Sequence, residues 1–361
     1  MIYYNALYNE RFGMKIIDVF AGFNEIGLAE FRIDYLDSYV DKVIIGESDQ
    51  TYSGIKKPLY FTEWLKSNPK YESKVTIHYI DLNHLAKPWD KEIFTRTSLH
   101  SFATFNFPKS KIILSDLDEI PSRAQIEIFK KETGTFHFHT PTFYRKGNWA
   151  LIDNHSNWSL GIMTDANSFP GPNGGRFIKH KVLHGENCGA HFSYLGFNSA
   201  KVREKYASFA HTELDKASFS SAKLIDFCDQ YKIDHIGRIR SKSYGLMSVL
   251  IHSEMSDVQK ECYRKLPSMF DFEKISVSTI RRIWASAKIS VLLNGVRIKK
   301  FKLLNNSNKY FRAQFSEDGL ALSAFGNIVV FACTFVELSL STLFQLKRYT
   351  KLLQQSLLFR K

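Results

Sequence analysis

The chain has 361 residues, enough for one large domain, or a domain with an appendage, around a substantial buried core. Hydrophobic residues make up 44% and charged residues 24%, which excludes a disordered or fibrous chain; four cysteines (Cys188, Cys228, Cys262, Cys333) without CxxC or Cys/His metal spacing argue against a disulfide scaffold or a zinc module. The net charge of +13 sits at one end: from Lys274 onward 15 Lys and Arg oppose three acids, a net +12, whereas the first 273 residues carry 34 basic against 33 acidic side chains.

Residues 1–13 (MIYYNALYNERFG) have no basic region followed by an apolar run, so they read as an N-terminal extension, expected to be disordered, and not as a signal peptide. Lys15–Phe20 is a short apolar run that reads as a strand, and Asn24–Tyr39 follows as a helix with Ile26, Ala29, Phe31, Ile33 and Leu36 toward one side. Lys42–Glu47 is a second strand, Tyr60–Lys66 a short helix, Lys74–Ile80 a third strand, Trp89–Phe105 a helix and Lys111–Ser115 a fourth strand. Strands and helices alternating in this way imply parallel βαβ units, with ligands bound beyond the C-terminal ends of the strands. After Pro121 the pattern changes to short strands, Phe136–Thr142, Trp158–Thr164 and His180–Leu183, with a glycine-rich break, PGPNGG. A helical stretch runs from about Asn198 to Tyr231, and no internal repeat is visible.

The segment with the strongest chemical content is Ser115-Asp116-Leu117-Asp118-Glu119-Ile120-Pro121, directly after the apolar strand KIIL. Alternation in an extended segment would turn Asp116 and Asp118 to one side. Two carboxylates there repel unless a cation joins them, and Mg²⁺ or Mn²⁺ prefers such hard oxygen ligands together with diphosphate oxygens. Such a metal would stabilise a leaving diphosphate.

Several segments in order resemble glycosyltransferase family 17, which includes the enzyme that adds bisecting N-acetylglucosamine. IIDVFAGFNEIGLAEFRIDYL is similar to its opening strand, Phe-Asn-Glu turn and helix; VDKVIIGESDQTYSGIKKPLYF to its second strand and Lys-Pro-Leu-Tyr-Phe loop; ILSDLDEIP to its Ser-Asp-x-Asp-Glu-Ile-Pro core. GAHFSYLG and KYASFAH are similar to its Gly-Trp-His-Phe-Ser-Tyr and Lys-x-x-Ser-Phe-x-His segments. The resemblance covers residues 14–273. It departs at Ala190, where the family has Trp, a change expected at the sugar surface, and at Thr97, where Arg96 is followed by Asn in the family.

The resemblance implies a GT-A type fold, a Rossmann-like mixed sheet flanked by helices. It also implies a UDP-sugar donor, with UDP-N-acetylglucosamine suggested, and inversion at the anomeric carbon. Asn24, Glu25 and Glu47 are expected to contact the donor, with helix capping the structural alternative for the first two. Arg96 is expected to pair with the diphosphate. His191 joins Asp116 and Asp118 as an expected metal or diphosphate ligand, and His211 is read for a similar role or one at the acceptor. Trp149 is the candidate for stacking on an acceptor sugar. Inversion needs a general base, for which Glu186 and then Asp153 are chosen by spacing from the paired aspartates.

Residues 14–273 therefore form the expected catalytic domain, and 274–361 a basic, helical extension at an anionic membrane surface. Within it Phe325–Phe344 is nearly long enough to span a bilayer but is interrupted by Asn327 and Glu337. The expected location is the cytoplasm, peripheral at a membrane, with a glycan or lipid-linked glycan as acceptor. The competing readings are a catalytically silent sugar-binding or scaffold protein of the same fold, and a nucleic-acid-binding protein. The second lacks any zinc, helix-turn-helix or RNP signature, so no nucleic acid is expected.

Overall fold

A computed structural model describes residues 14–151, 157–168, 170–184, 188–212, 215, 221–236 and 246–278, with 281–283, 285, 286, 289, 314–316 and 319–321 beyond them. The expected bases Asp153 and Glu186, and the apolar run 325–344, lie outside the described residues.

The first unit comprises Met1–Leu151, His155–Ala217 and Val249–Glu273. It opens as the alternation predicts: β1 (Ile16–Ala21), α1 (Ile26–Leu36), β2 (Lys42–Glu47), α2 (Tyr60–Ser67), β3 (Val75–Tyr79), α3 (Pro88–Asn106) and β4 (Lys111–Leu114). β4, β1, β2 and β3 lie side by side and parallel. The strands are apolar nearly throughout because helices cover both faces. Ile17, Val19, Ile44, Ile112 and Leu114 pack with Leu99 and Ala103 of α3. Ile16, Phe20, Val43, Ile45 and Ile113 pack on the other face with Phe31, Ile33 and Leu36 of α1 and with Phe61 of α2.

After β4 come β5 (Glu119–Ile120), α4 (Arg123–Lys131), β6 (Thr135–Tyr144), β7 (Trp149–Leu151), β8 (Asn157–Asp165), β9 (Lys181–Leu183), β10 (Ala190–Ser193) and α5 (Ser199–Ser208). β8 joins β4 antiparallel and β6 joins β8 antiparallel, so the sheet is mixed. β10 runs parallel to β6 and antiparallel to β5, with His191 opposite Glu119. Ser122 starts α4 with a capping box: its hydroxyl accepts from the Gln125 N–H, and the Gln125 side chain accepts from the Ser122 N–H. The Gln125 side chain also accepts from Gly189 N–H and donates to the carbonyls of His139 and Leu183, which binds β6, β9 and β10 to this helix. Gly189 has no room for a side chain, since a Cβ would lie 2.2 Å from the Ile120 carbonyl oxygen.

The unit closes with α7 (Asp257–Lys265), which follows α6 (Ala222–Tyr231) of the second unit. That second unit comprises Ile152–Asn154, Ser218–Ser248 and Lys274–Lys361. Leu224 and Cys228 of α6 share a core with Ile233, Leu246, Ile283, Ala285 and Ile289, and Arg282 Nε donates to the Tyr231 carbonyl at 2.8 Å. Two expectations change here. The helical stretch 198–231 is two helices, α5 and α6, belonging to different units. Within 218–248, read as part of the catalytic domain, the described residues Leu224, Cys228, Ile233 and Leu246 pack with Ile283, Ala285 and Ile289. Farther on, where a helix was expected, Gln314–Ser316 and Gly319–Ala321 form an antiparallel strand pair. Among the described residues no helix is long and apolar enough to cross a membrane.

Candidate active site

Asp18 is an anomaly in the apolar β1, and Arg32 is another on the buried side of α1; each is 0% exposed. Asp18 has the same parity as Ile16 and Phe20, so it faces α1 and meets Arg32. Arg32 Nη2 donates to Asp18 Oδ1 at 2.6 Å and Nε to Oδ2 at 2.8 Å. The rest of the guanidinium reaches forward. Nη1 donates to the carbonyls of Asp116 (2.8 Å), Leu117 (3.2 Å) and Glu119 (3.2 Å), and Nη2 to Ser115 Oγ (2.9 Å). Arg32 thereby satisfies the inward backbone of the Ser115–Glu119 turn and leaves its side chains to face outward. This is a turn and not the extended segment expected: the Glu119 N–H donates to the Asp116 carbonyl at 3.0 Å.

Asp116 and Asp118 consequently have different partners. Asp116 Oδ1 accepts from Arg96 Nη2 at 2.8 Å, and Oδ2 from Arg176 Nη2 at 2.9 Å. Arg176 also makes a two-pronged bond to fully buried Glu119, at 3.0 and 2.7 Å. Arg96 Nη1 donates to Glu92 at 2.6 Å and to Asn173 Oδ1 at 3.1 Å. Burial by itself would raise the Asp116 carboxyl, but the Arg176 and Arg96 guanidiniums outweigh it and hold the group well below the usual carboxylate range. The loop that supplies Asn173 and Arg176 depends on glycine: Gly174 and Gly175 have φ of +62° and +78°, and a Cβ at Gly175 would lie 2.4 Å from the Pro170 carbonyl oxygen.

Asp118 Oδ2 lies 3.7 Å from His191 Nε2 and 4.0 Å from Lys205 Nζ. Burial pushes the Asp118 carboxyl up, and His191 and Lys205 more than reverse it. His191 reaches this place because β10 pairs with β5; its other ring nitrogen, Nδ1, is 3.3 Å from Thr142 Oγ1 on β6. Lys205 of α5 is boxed by the rings of Tyr194, Phe197 and Phe209. Glu25, at the start of α1, makes no capping bond through its side chain. Its carboxyl is raised by burial and by Asp118, against the pull of Lys205. Trp158 of β8 completes the cluster: its indole N–H donates to Glu119 Oε1, its ring lies 4.8 Å from that of His191, and the Arg176 guanidinium sits 5.7 Å from its centroid.

Three expectations are corrected. Glu47 is not open to a donor: both oxygens are taken by Phe61 N–H, Thr62 N–H and the Thr62 hydroxyl, so it caps α2. Trp149 is 2% exposed and belongs to the core; Trp158 is the tryptophan at the site. Ala190 is fully buried on the core side of β10, so the loss of Trp there alters packing and not a sugar surface. His211 stands against Trp89, with centroids 4.6 Å apart. Asn24 Nδ2 donates to Glu204 at 2.9 Å, and the Thr97 hydroxyl to the Ile93 carbonyl.

Arg176, Glu119, Lys205, Trp158 and the Asp18–Arg32 pair were not singled out from sequence. Their signals were a cation just after a glycine-rich break, a third acid inside DLDEIP, and opposite charges inside apolar runs.

The resemblance implies a divalent cation. Among the described residues no group of three or more His, Cys, Asp or Glu could hold a metal ion. Mg²⁺ and Mn²⁺, however, commonly take one or two protein ligands and complete their shell with water and phosphate oxygens. The facing Asp118 and His191 fit that requirement. Asp116 does not in this arrangement, since both of its oxygens are bound to guanidiniums.

Acids and guanidiniums thus gather beyond the C-terminal ends of the parallel strands, where open α/β sheets bind their ligands. Residues 5–155 match the model of glycosyltransferase family 17. Two solved structures of HddC from Yersinia pseudotuberculosis are similar at 11% identity. One, complexed with GMP-PN, has a TM-score of 0.29 and covers 44% of this chain and 80% of its own; the other has a TM-score of 0.28 and covers 42% and 77%. No curated protein matches the chain.

Proposed function

We propose that the chain is an inverting, metal-dependent glycosyltransferase that moves N-acetylglucosamine from UDP-N-acetylglucosamine to a mannose-like or other glycan acceptor in a β linkage. The observation that carries this reading is the Asp118–His191 pair beside the guanidinium-bound Asp116, inside the segment that matches the family. Asp118 and His191 would hold Mn²⁺ or Mg²⁺, which when bound supplies positive charge to the departing diphosphate. Arg96 offers further charge to the same group. Glu25, whose carboxylate makes no capping bond to its helix, is assigned to the donor. Trp158 offers the aromatic face for a sugar, and W158A is expected to raise the acceptor KM more than the donor KM; equal effects on both would remove it from that role.

Deprotonation of the acceptor hydroxyl is assigned to Glu186, with Asp153 second. Both are chosen by their spacing in the chain from the paired aspartates, Glu186 being 68 and Asp153 35 residues beyond Asp118. The deciding experiment is a donor panel reading UDP release with and without Mn²⁺, followed by an acceptor array. UDP-N-acetylglucosamine is expected to lead and EDTA to silence it. A GDP-sugar or UDP-glucose clearly ahead would overturn the donor assignment.

The net +12 beyond Glu273 supports peripheral attachment to an anionic membrane, at about 1 kcal/mol per basic residue near the leaflet. Full-length protein should float with anionic liposomes at low salt and be released at high salt; failure to float at low salt rejects the attachment.

A further inference from the structure

We propose that Arg96 and Arg176 together form the cradle for the donor's diphosphate, and that Asp116 is an internal anion holding that cradle until the nucleotide displaces it. The inference rests on the glycosyltransferase reading and adds to it a residue, Arg176, and a role for the first aspartate other than metal ligation.

Two guanidiniums from separate elements, α3 and the loop after Gly175, converge on the two oxygens of one carboxylate. Carboxylate and phosphate both present pairs of anionic oxygens to guanidinium N–H groups, so guanidiniums arranged for one accept the other. The three partners differ in exposure. The Arg96 and Arg176 side chains are 11% and 8% exposed, whereas that of Asp116 is 37% exposed and forms the solvent side of the cluster. They differ also in what remains if Asp116 leaves. Arg176 keeps its two bonds to Glu119, and Arg96 keeps Glu92 and Asn173. The cations therefore stay in place without Asp116, the most exposed anion of the cluster, which can be exchanged without leaving a buried charge unpaired.

The charge count points the same way. With Asp116, Glu119 and Glu92 facing Arg96 and Arg176, the cluster carries one net negative charge, which opposes an incoming diphosphate. Withdrawal of Asp116 brings the cluster to neutrality with two guanidiniums directed at the opening. Asp116 thus restrains nucleotide binding in the empty enzyme, the opposite of what a metal ligand does.

The test is UDP binding by calorimetry to the full chain in EDTA, comparing wild type with D116N, R96Q and R176Q, each checked for folding by circular dichroism. D116N is expected to bind UDP about tenfold tighter than wild type, since a like charge is removed from the site. R96Q and R176Q are expected to bind about tenfold or more weaker, each having lost a charge-assisted bond to phosphate. If R176Q does not fold because Glu119 loses its partner, R96Q and D116N decide the matter between them. Weaker or unchanged binding in D116N, or unchanged binding in R96Q, overturns the inference while UDP binding to wild type in Mn²⁺ keeps the glycosyltransferase reading intact. No UDP binding to any form, with or without Mn²⁺, overturns both.

Discussion

Glu47 and Asp116 belong to the ends of β2 and β4, the two strands that flank β1, and their carboxylates meet opposite fates. Glu47 is 2% exposed, and its oxygens accept at 2.7 and 2.9 Å from the first backbone N–H groups of α2 and at 2.7 Å from the Thr62 hydroxyl. Those donors are fixed by the helix itself and cannot be withdrawn without unwinding its first turn. Asp116 is bound instead by the tips of two long side chains, and over a third of its side chain meets solvent. A carboxylate at a strand end in an α/β sheet is thus only a candidate. Whether it serves structure or chemistry depends on whether its partners are backbone groups that must stay or side chains that can rotate.

That comparison can be broken most forcefully from behind the site. D18N removes one charge of a fully buried pair and leaves Arg32 uncompensated, for a cost of roughly 3–5 kcal/mol in urea unfolding. A D18N variant as stable as wild type would mean that Arg32 does not brace the Ser115–Glu119 turn. Next comes D118N, expected to lower UDP release on the order of 10²-fold or more with the urea midpoint nearly unchanged, because it removes electrostatic stabilisation of the diphosphate and little packing. Retention of most activity would take Asp118 out of the site. E47Q should do the reverse: lose roughly 1–2 kcal/mol of stability as an N-terminal cap is weakened, while the folded fraction turns over as before. If E47Q instead kept full stability and lost UDP affinity, the roles argued for the two strand ends would have to be exchanged.

The parallel half of the sheet was legible in the sequence because its strands are continuous apolar runs and its helices repeat with a helical period. β2 runs from Lys42 to Glu47 in both readings, and α3 differs from its expectation by one residue at each end. The site was legible only where a motif sits in one segment, as in DLDEIP. Arg176 is sixty residues away from Asp116 in the chain, and the sheet order β6-β8-β4 with its following loop is what returns it. Trp149 and Trp158 are equally aromatic in sequence; only strand placement decides that one fills the core and the other reaches His191. Glu47 failed as a donor contact for a similar reason, since a carboxylate before a loop gives no sign that the helix beyond the loop will turn its N–H groups onto it. The grouping of α6 with residues after Lys274 was hidden because its ordinary amphipathic pattern does not specify its partner.

The smallest effect expected is the pH dependence of the Asp116 pairing. An aspartate in the unfolded chain titrates near 3.9. In the folded chain burial works to raise Asp116, yet Arg176 and Arg96 together carry it below that value. A folded-state value lower than the unfolded one means that the pairing contributes its full stability above about pH 4, and that the contribution is lost as the pH falls from there toward the folded value. Since the group is partly exposed, solvent screening trims the effect, and other carboxylates titrate over the same range. The informative quantity is therefore a difference in slope. Between about pH 5 and pH 3 the urea midpoint of wild type should fall more steeply than that of D116N, whose side chain has no proton to take up in this range. Parallel curves would show that the guanidiniums do not hold Asp116 ionised in the folded protein. The contrast with Glu47 would then rest on exposure alone, and the case for Asp116 as the exchangeable partner of two fixed cations would lose its electrostatic footing.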